Sequence, residues 1–294
     1  MEKNDRKALL MGLSAVLLWS TAATAFKLAL AGLTVLQLVF VAVLTSALAL
    51  LVALGVQGKL GQLRAGFARQ PLHYLTMGLL NPLAYYCILL AAYDRLPAQQ
   101  AQVINYTWAI TLALLCIPIL GQRLGRRDWL AVAMGYLGVL VIATEGAPWS
   151  LQFTDGPGVA LALASTLLWA VFWLLSARAK GDATLNLTGY FLCAVPPALL
   201  LCLWQGGGMP ALDRSFLAAV YVGLFEMGVT WMLWATALRC ASNVTRVGNL
   251  IFLAPLLSLV LISQVLGEAI HPATLFGLAM ILPGIVLQQR GSAS

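Results

Sequence analysis

Glu226 sits halfway along the apolar run Ser215 to Leu238, where a lone carboxyl is costly unless it faces a cavity or a partner. A carboxyl so placed suits three tasks: gripping a substrate amino group, exchanging a proton, or tying two helices together by a hydrogen bond. Asn81 is a neutral counterpart. It precedes Pro82, which lacks a backbone donor and tends to kink a helix, so its amide either lines a cavity or glues helices. Asn105 and Asn249 place the same residue type in two further apolar runs. Lys27 shares a face with Ser20 and Thr24 near one end of its run, and Arg246 lies near an end of another. Both side chains are long enough to snorkel to an interface, and Lys27 is the better placed for ligand contact.

Aromatic residues form the second population with chemical potential. Trp129, Trp149 and Trp204 lie at the ends of apolar runs, where interfacial belts account for them. Trp19, Tyr85, Tyr86, Tyr106, Trp108, Trp169, Phe172, Trp173, Trp231 and Trp234 lie within runs. Such rings face lipid, fill a core, or wall a pocket for a flat or apolar ligand. The wall expected here is Trp19, Tyr85, Trp108, Trp169 and Trp173, with Asn81, Asn105, Glu226, Asn249 and Lys27 as the polar contacts that orient a small amino acid-like molecule.

Several chemistries lack their residues. Gly58-Lys59 has neither the preceding glycine nor the following Ser or Thr of a phosphate-binding loop. His73 and His271 are far apart, and no Ser, His and acid set assembles around them. An intramembrane enzyme, the competing class, would need polar residues clustered at a membrane surface. Cys87, Cys116, Cys193, Cys202 and Cys240 contain no CxxC pair, so neither a metal nor another cofactor is expected. The net charge of +7 is spread singly between apolar runs, unlike the basic face of a nucleic-acid binder.

With 61% hydrophobic and 9% charged residues among 294, the chain cannot cover a water-soluble surface, which carries about a quarter charged residues. A bilayer must hold these groups in place. Crossing roughly 30 Å of hydrocarbon takes about 20 apolar residues, and ten runs are expected to do so: Ala8 to Ala31, Val35 to Val56, Leu72 to Tyr93, Ala98 to Leu120, Trp129 to Thr144, Gly158 to Ala179, Leu185 to Trp204, Ser215 to Leu238, Val244 to Leu266 and Pro272 to Leu287. No cleavable leader is expected, since the first run is long enough to be its own anchor. Trp19, Asn81, Tyr85, Trp108, Trp169 and Glu226 fall roughly 14 to 20 Å along their runs, near midplane. Prolines inside runs, among them Pro82, Pro118, Pro196, Pro197 and Pro283, permit bends. Gly135 and Gly138 with Gly277 and Gly284 suit close helix approach, inside a monomer or in a dimer.

Leu17-Leu18-Trp19 recurs as Leu167-Leu168-Trp169, and Arg95, Val103 and Asn105 recur as Arg239, Val247 and Asn249. The chain is written twice, as residues 1-146 and 157-290, joined by a turn-rich linker. Lys and Arg gather in alternate loops and put both termini in the cytoplasm. Five spans per half then make the copies antiparallel. The fold class expected is an all-α integral membrane protein of ten transmembrane helices in two inverted five-helix repeats, with Trp19 and Trp169 on opposite sides of a central pathway. That plan is common among secondary transporters.

The segments Gly12 to Thr21 (GLSAVLLWST), Ile104 to Thr111 (INYTWAIT), Leu120 to Gln122 (LGQ), Ser242 to Thr245 (SNVT) and Ala254 to Ser258 (APLLS) resemble the EamA family of the drug/metabolite transporter superfamily, and within it the YddG-type bacterial aromatic amino acid exporters. The resemblance spans essentially the whole chain. It implies an exporter in the bacterial inner membrane for aromatic and other neutral amino acids, with flat cationic compounds as further cargo. Gly248-Asn249 and Phe252 depart from that subgroup's pattern, and Glu226 is not part of it. Efflux of cationic compounds by the same fold is the alternative.

Overall fold

In a computed structural model of the protein, the described residues are 4–121, 125–149, 153, 155–179, 181–204, 208–243 and 247–291, and among them there are helices but no strand. The helices are α1 (Asp5–Ser20), α2 (Ala22–Leu30), α3 (Val35–Val56), α4 (Leu60–Arg69), α5 (Pro71–Gly78), a π-helical segment π1 (Leu79–Ala84), α6 (Tyr85–Arg95), α7 (Ala98–Asn105), α8 (Trp108–Leu120), α9 (Arg126–Ala143), α10 (Gly156–Ser176), α11 (Ala183–Trp204), α12 (Arg214–Tyr221), a second segment π2 (Val222–Gly228), α13 (Val229–Cys240), a 3-10 turn (Asn249–Phe252), α14 (Leu253–Leu266) and α15 (Pro272–Gly291).

The helix starts are written in the sequence. Asn4 accepts from the Lys7 amide at 2.9 Å, Asp155 from Gly158 at 2.7 Å and Asp213 from Phe216 at 3.0 Å, each satisfying an amide that has no partner within its helix. Thr34 and Gln37 form a reciprocal capping box at the head of α3. With 22 residues, α3 spans about 33 Å, enough to cross the hydrocarbon.

Among the described residues, eight helical stretches are long and apolar enough to cross a membrane: Asp5–Leu30, Val35–Val56, Pro71–Arg95, Ala98–Ile119, Gly156–Ser176, Ala183–Trp204, Arg214–Cys240 and Asn249–Leu266. The fifth and tenth expected spans are also helical but fall outside that set: α9 opens on Arg126, Arg127 and Asp128, and Pro272–Leu287 is a shorter apolar helix. The protein is thus a multi-pass membrane protein. One further element was not expected. The basic stretch after α3 forms α4, which buries Leu63 and Phe67 against Leu54, Leu185 and their neighbours and leaves Arg64 and Arg69 exposed.

Several spans are broken rather than straight. Asn81 leaves helical geometry at φ −148°, ψ 120° before Pro82, as expected where a proline removes a donor. The break at π2 has no proline; Gly223 sits there against the Ala42 carbonyl and Thr45 of α3, an approach that excludes a side chain. Pro118, Pro196, Pro197 and Pro283 lie inside continuous helices, so among these prolines only Pro82 marks a break.

The chain divides into two compact units. The first comprises Met1–Cys87 and Lys180–Leu261, the second Ile88–Ala179 and Ile262–Ser294. Each unit therefore draws on both written copies. In the first, α3 packs along α11 and α1 along α13; in the second, α9 packs along α15 and α8 along α10. The α9–α15 approach is set by glycine: a Cβ on Gly138 would meet the Gly277 carbonyl at 2.8 Å, and one on Gly277 the Gly138 carbonyl at 2.7 Å. These glycines thus serve packing inside the second unit.

Candidate functional site

In the first unit, Glu226 lies within π2 and is half-buried. Its Oε1 accepts from the Tyr86 hydroxyl at 3.2 Å. Its backbone carbonyl, within the π turn, accepts from the Trp19 indole N–H at 3.3 Å. Trp19 in turn meets Trp231 edge-on at 5.7 Å and Trp234 tilted at 5.4 Å, separations at which aromatic pairs attract. Thr21, at the break between α1 and α2, shares a 2.8 Å hydrogen bond with the Tyr221 hydroxyl. It also donates to the Leu18 carbonyl at 2.6 Å.

Tyr85 is a buried neighbour of this arrangement. Its ring lies 4.8 Å from that of Tyr86, and Tyr86 carries the bond to Glu226. Asn81 is 4% exposed, and its Oδ1 has no hydrogen-bond partner among the described residues. Asn249 is exposed on the 3-10 turn, and Lys27 is half-buried on α2, level with Ser215, whose hydroxyl donates to the adjoining Leu28 carbonyl at 3.2 Å. Arg246 lies outside the described residues.

The second unit brings Trp108, Trp169 and Trp173 together. Trp108 and Trp173 stack at 6.0 Å with 12° between planes. Trp169 stands across both, at 6.4 and 6.3 Å, with Phe172 at 5.7 Å. The polar groups beside them are neutral. The Asn105 amide donates to Ser165 Oγ at 2.9 Å, and Thr111 bonds both Thr166 and Tyr136 hydroxyls at 2.9 Å. Hydroxyls also satisfy their own helix: Ser165 bonds the Ala162 carbonyl at 2.6 Å and Thr166 that of Leu163 at 2.7 Å.

The sequence named these residues as one set, of which Trp19 and Glu226 meet in the first unit and Trp108, Trp169 and Trp173 in the second. It missed Tyr86, Trp231 and Trp234 as neighbours of the first pair, and Ser165, Thr111, Thr166 and Tyr136 as neighbours of the second. The spacing of Trp231, five residues after Glu226, is a usable signal only once a π turn is known to intervene.

Two ion pairs form outside the spans among the described residues. Lys59 holds Asp182 at 2.5 Å in the first unit. Burial pushes the Asp182 carboxyl up, but the Lys59 ammonium and the Leu185 and Thr184 amides outweigh it and leave the carboxyl below its usual range. In the second unit Arg95 grips Asp155 through two nitrogens, at 3.1 and 3.0 Å. The Gly158 amide, and after it Arg95, hold that carboxyl low.

Comparison with known proteins adds the lineage. A protein called aromatic amino acid exporter YddG, from Ancylobacter novellus, is 26% identical over 257 residues, covering 87% of each chain. An uncharacterized transporter of Bacillus subtilis, YvbV, is 23% identical over 229 residues, 73% of this chain and 70% of that one. A crystal structure matches with a TM-score of 0.63 at 22% identity, over 97% of this chain and 96% of the other, which shows a shared fold. The model of the EamA-like transporter family matches twice, at residues 6–144 and 156–288. The chain belongs to the EamA-like transporter family.

Proposed function

We propose that this protein is a secondary transporter that exports aromatic and other neutral amino acids, or small amphipathic metabolites of similar shape, across the bacterial inner membrane by alternating access. The observation that carries the proposal is the pair of mid-span aromatic clusters with a few polar groups set beside them, the composition of a small-molecule site, in a chain of a transporter family. The name of the Ancylobacter novellus relative supports the aromatic amino acid as first substrate.

In this reading Trp19, Tyr85, Trp108, Trp169 and Trp173 are apolar walls, and Asn81, Asn105, Glu226, Asn249 and Lys27 orient the ligand. Ten spans in two inverted five-helix repeats, residues 1-146 and 157-290, with both termini cytoplasmic, complete the scheme. It is supported by the basic residues in alternate loops and by the doubled family match. Protein purified into liposomes is expected to move labelled phenylalanine faster than empty vesicles do; equal rates would overturn the substrate assignment. Efflux of cationic compounds is the second reading, favoured by the Glu226 carboxyl.

A further inference from the structure

We infer that the Glu226 cluster of the first unit selects its ligand by a positively charged amine and, among the described residues, sets no cationic side chain beside that carboxyl for a ligand carboxylate, so that it takes arylalkylamines in preference to the matching amino acids. The inference rests on reading that cluster as part of the substrate site, and it specifies the ligand's charge.

The charge inventory is one-sided. Glu226 contributes a carboxyl, aligned by the Tyr86 hydroxyl. The walls next to it are the indoles of Trp19, Trp231 and Trp234, whose faces attract cations and offer a carboxylate nothing but their N–H edges. The Trp19 N–H is already committed to the Glu226 carbonyl. On the span that carries Tyr86, Asn81 presents a buried Oδ1 without a partner among the described residues, an acceptor that only a donor can satisfy.

Cationic side chains are distant along the same elements. Lys7 precedes Trp19 by twelve residues and Arg239 follows Glu226 by thirteen, axial separations of roughly 18 to 20 Å in helical geometry. Lys27 is nearer, eight residues beyond Trp19, yet it sits level with Ser215, eleven residues before Glu226. The ammonium and carboxylate of an α-amino acid share one carbon. A ligand whose ammonium meets Glu226 thus brings its own carboxylate against the same acid, with Lys27 as the receiver to be tested. An amine without a carboxylate avoids that repulsion, which is strong where the effective dielectric is low.

The test is calorimetric binding to the purified full chain of three ligands that share a phenyl ring: 2-phenylethylamine, L-phenylalanine and 3-phenylpropionate. The amine is expected to bind at least tenfold tighter than the amino acid, and the acid not at all. Glu226→Gln is expected to collapse the ratio between amine and amino acid toward one. Should that variant fail to fold, the wild-type ranking decides. Equal or tighter binding of L-phenylalanine overturns the inference, and loss of that binding in Lys27→Met would identify Lys27 as the carboxylate's receiver. Binding of 3-phenylpropionate, or no binding of any ligand, overturns it as well. Liposome transport of phenylalanine is measured separately, so phenylalanine transport without amine preference sinks this inference alone, whereas amine binding without phenylalanine transport sinks only the proposed substrate.

Discussion

Trp19 and Trp169 close the same repeated Leu-Leu-Trp stretch, yet their neighbours have little in common. Trp19 is half-buried, bonds a carbonyl within a π turn and touches two tryptophans of α13. Trp169 is 9% exposed and stands among Trp108, Phe172 and Trp173. The difference is legible in the positions that correspond under the duplication. At the downstream offset of 144, Trp231 and Trp234 correspond to Cys87 and Leu90, and Trp108 to Phe252; at the upstream offset of 150, Trp173 corresponds to Ala23. Each copy keeps its tryptophan and has placed the matching rings on a different span. The same three residues thus sit in two unlike surroundings, one acidic and one neutral.

Four substitutions sharpen or break that contrast. The largest effect is expected from Trp169→Ala, about 3–5 kcal/mol for a nearly buried tryptophan. Trp19→Ala should cost roughly half that, its ring being half-exposed; thermal unfolding in detergent gives both, and a greater loss at Trp19 would reverse the assigned order. Tyr86→Phe removes the one hydroxyl seen on the Glu226 carboxyl and is expected to cost about 1–3 kcal/mol, with ligand binding in the first unit altered. Thr166→Val breaks a neutral hydroxyl pair in the second unit and is expected to cost about 1 kcal/mol, leaving the binding of amines unchanged.

The smallest effect concerns Asp182→Asn. The folded state depresses this carboxyl, so its contribution is present above the unfolded value of about 3.9 and is lost as pH falls through the lower folded value. Under about 1 kcal/mol is expected for so exposed a pair. Melting temperatures of wild type and variant should differ slightly at neutral pH and converge in strong acid; a constant gap would remove the ion pair as its cause.

The helices were legible because hydrocarbon forces long apolar runs into helical form. The breaks were less so. Pro82 announces π1, whereas π2 arises because Gly223 lets the chain press on the α3 backbone, a property of two surfaces that no single stretch displays. Glu226 was conspicuous as a charge in an apolar run, and Trp19 and Trp169 were picked out by counting along theirs. Tyr86 could not be separated from Tyr85, since adjacent residues on a broken helix point in directions that the break itself decides. Asn249 and Lys27 looked equal to the rest in polarity, and only burial and level distinguish them.

The bond from Trp19 to Glu226 joins residues 207 positions apart. At a synthesis rate of about 5–20 residues per second, the first span waits roughly 10–40 s for its partner to emerge. During that interval the hydroxyls of Ser20 and Thr21 can lean on the Leu17 and Leu18 carbonyls, where the finished protein also holds them. The Trp19 N–H has no such local refuge. Assembly of the acidic cluster therefore cannot begin until most of the chain has been made, and a chain halted before residue 226 would lack the carbonyl that receives this indole donor.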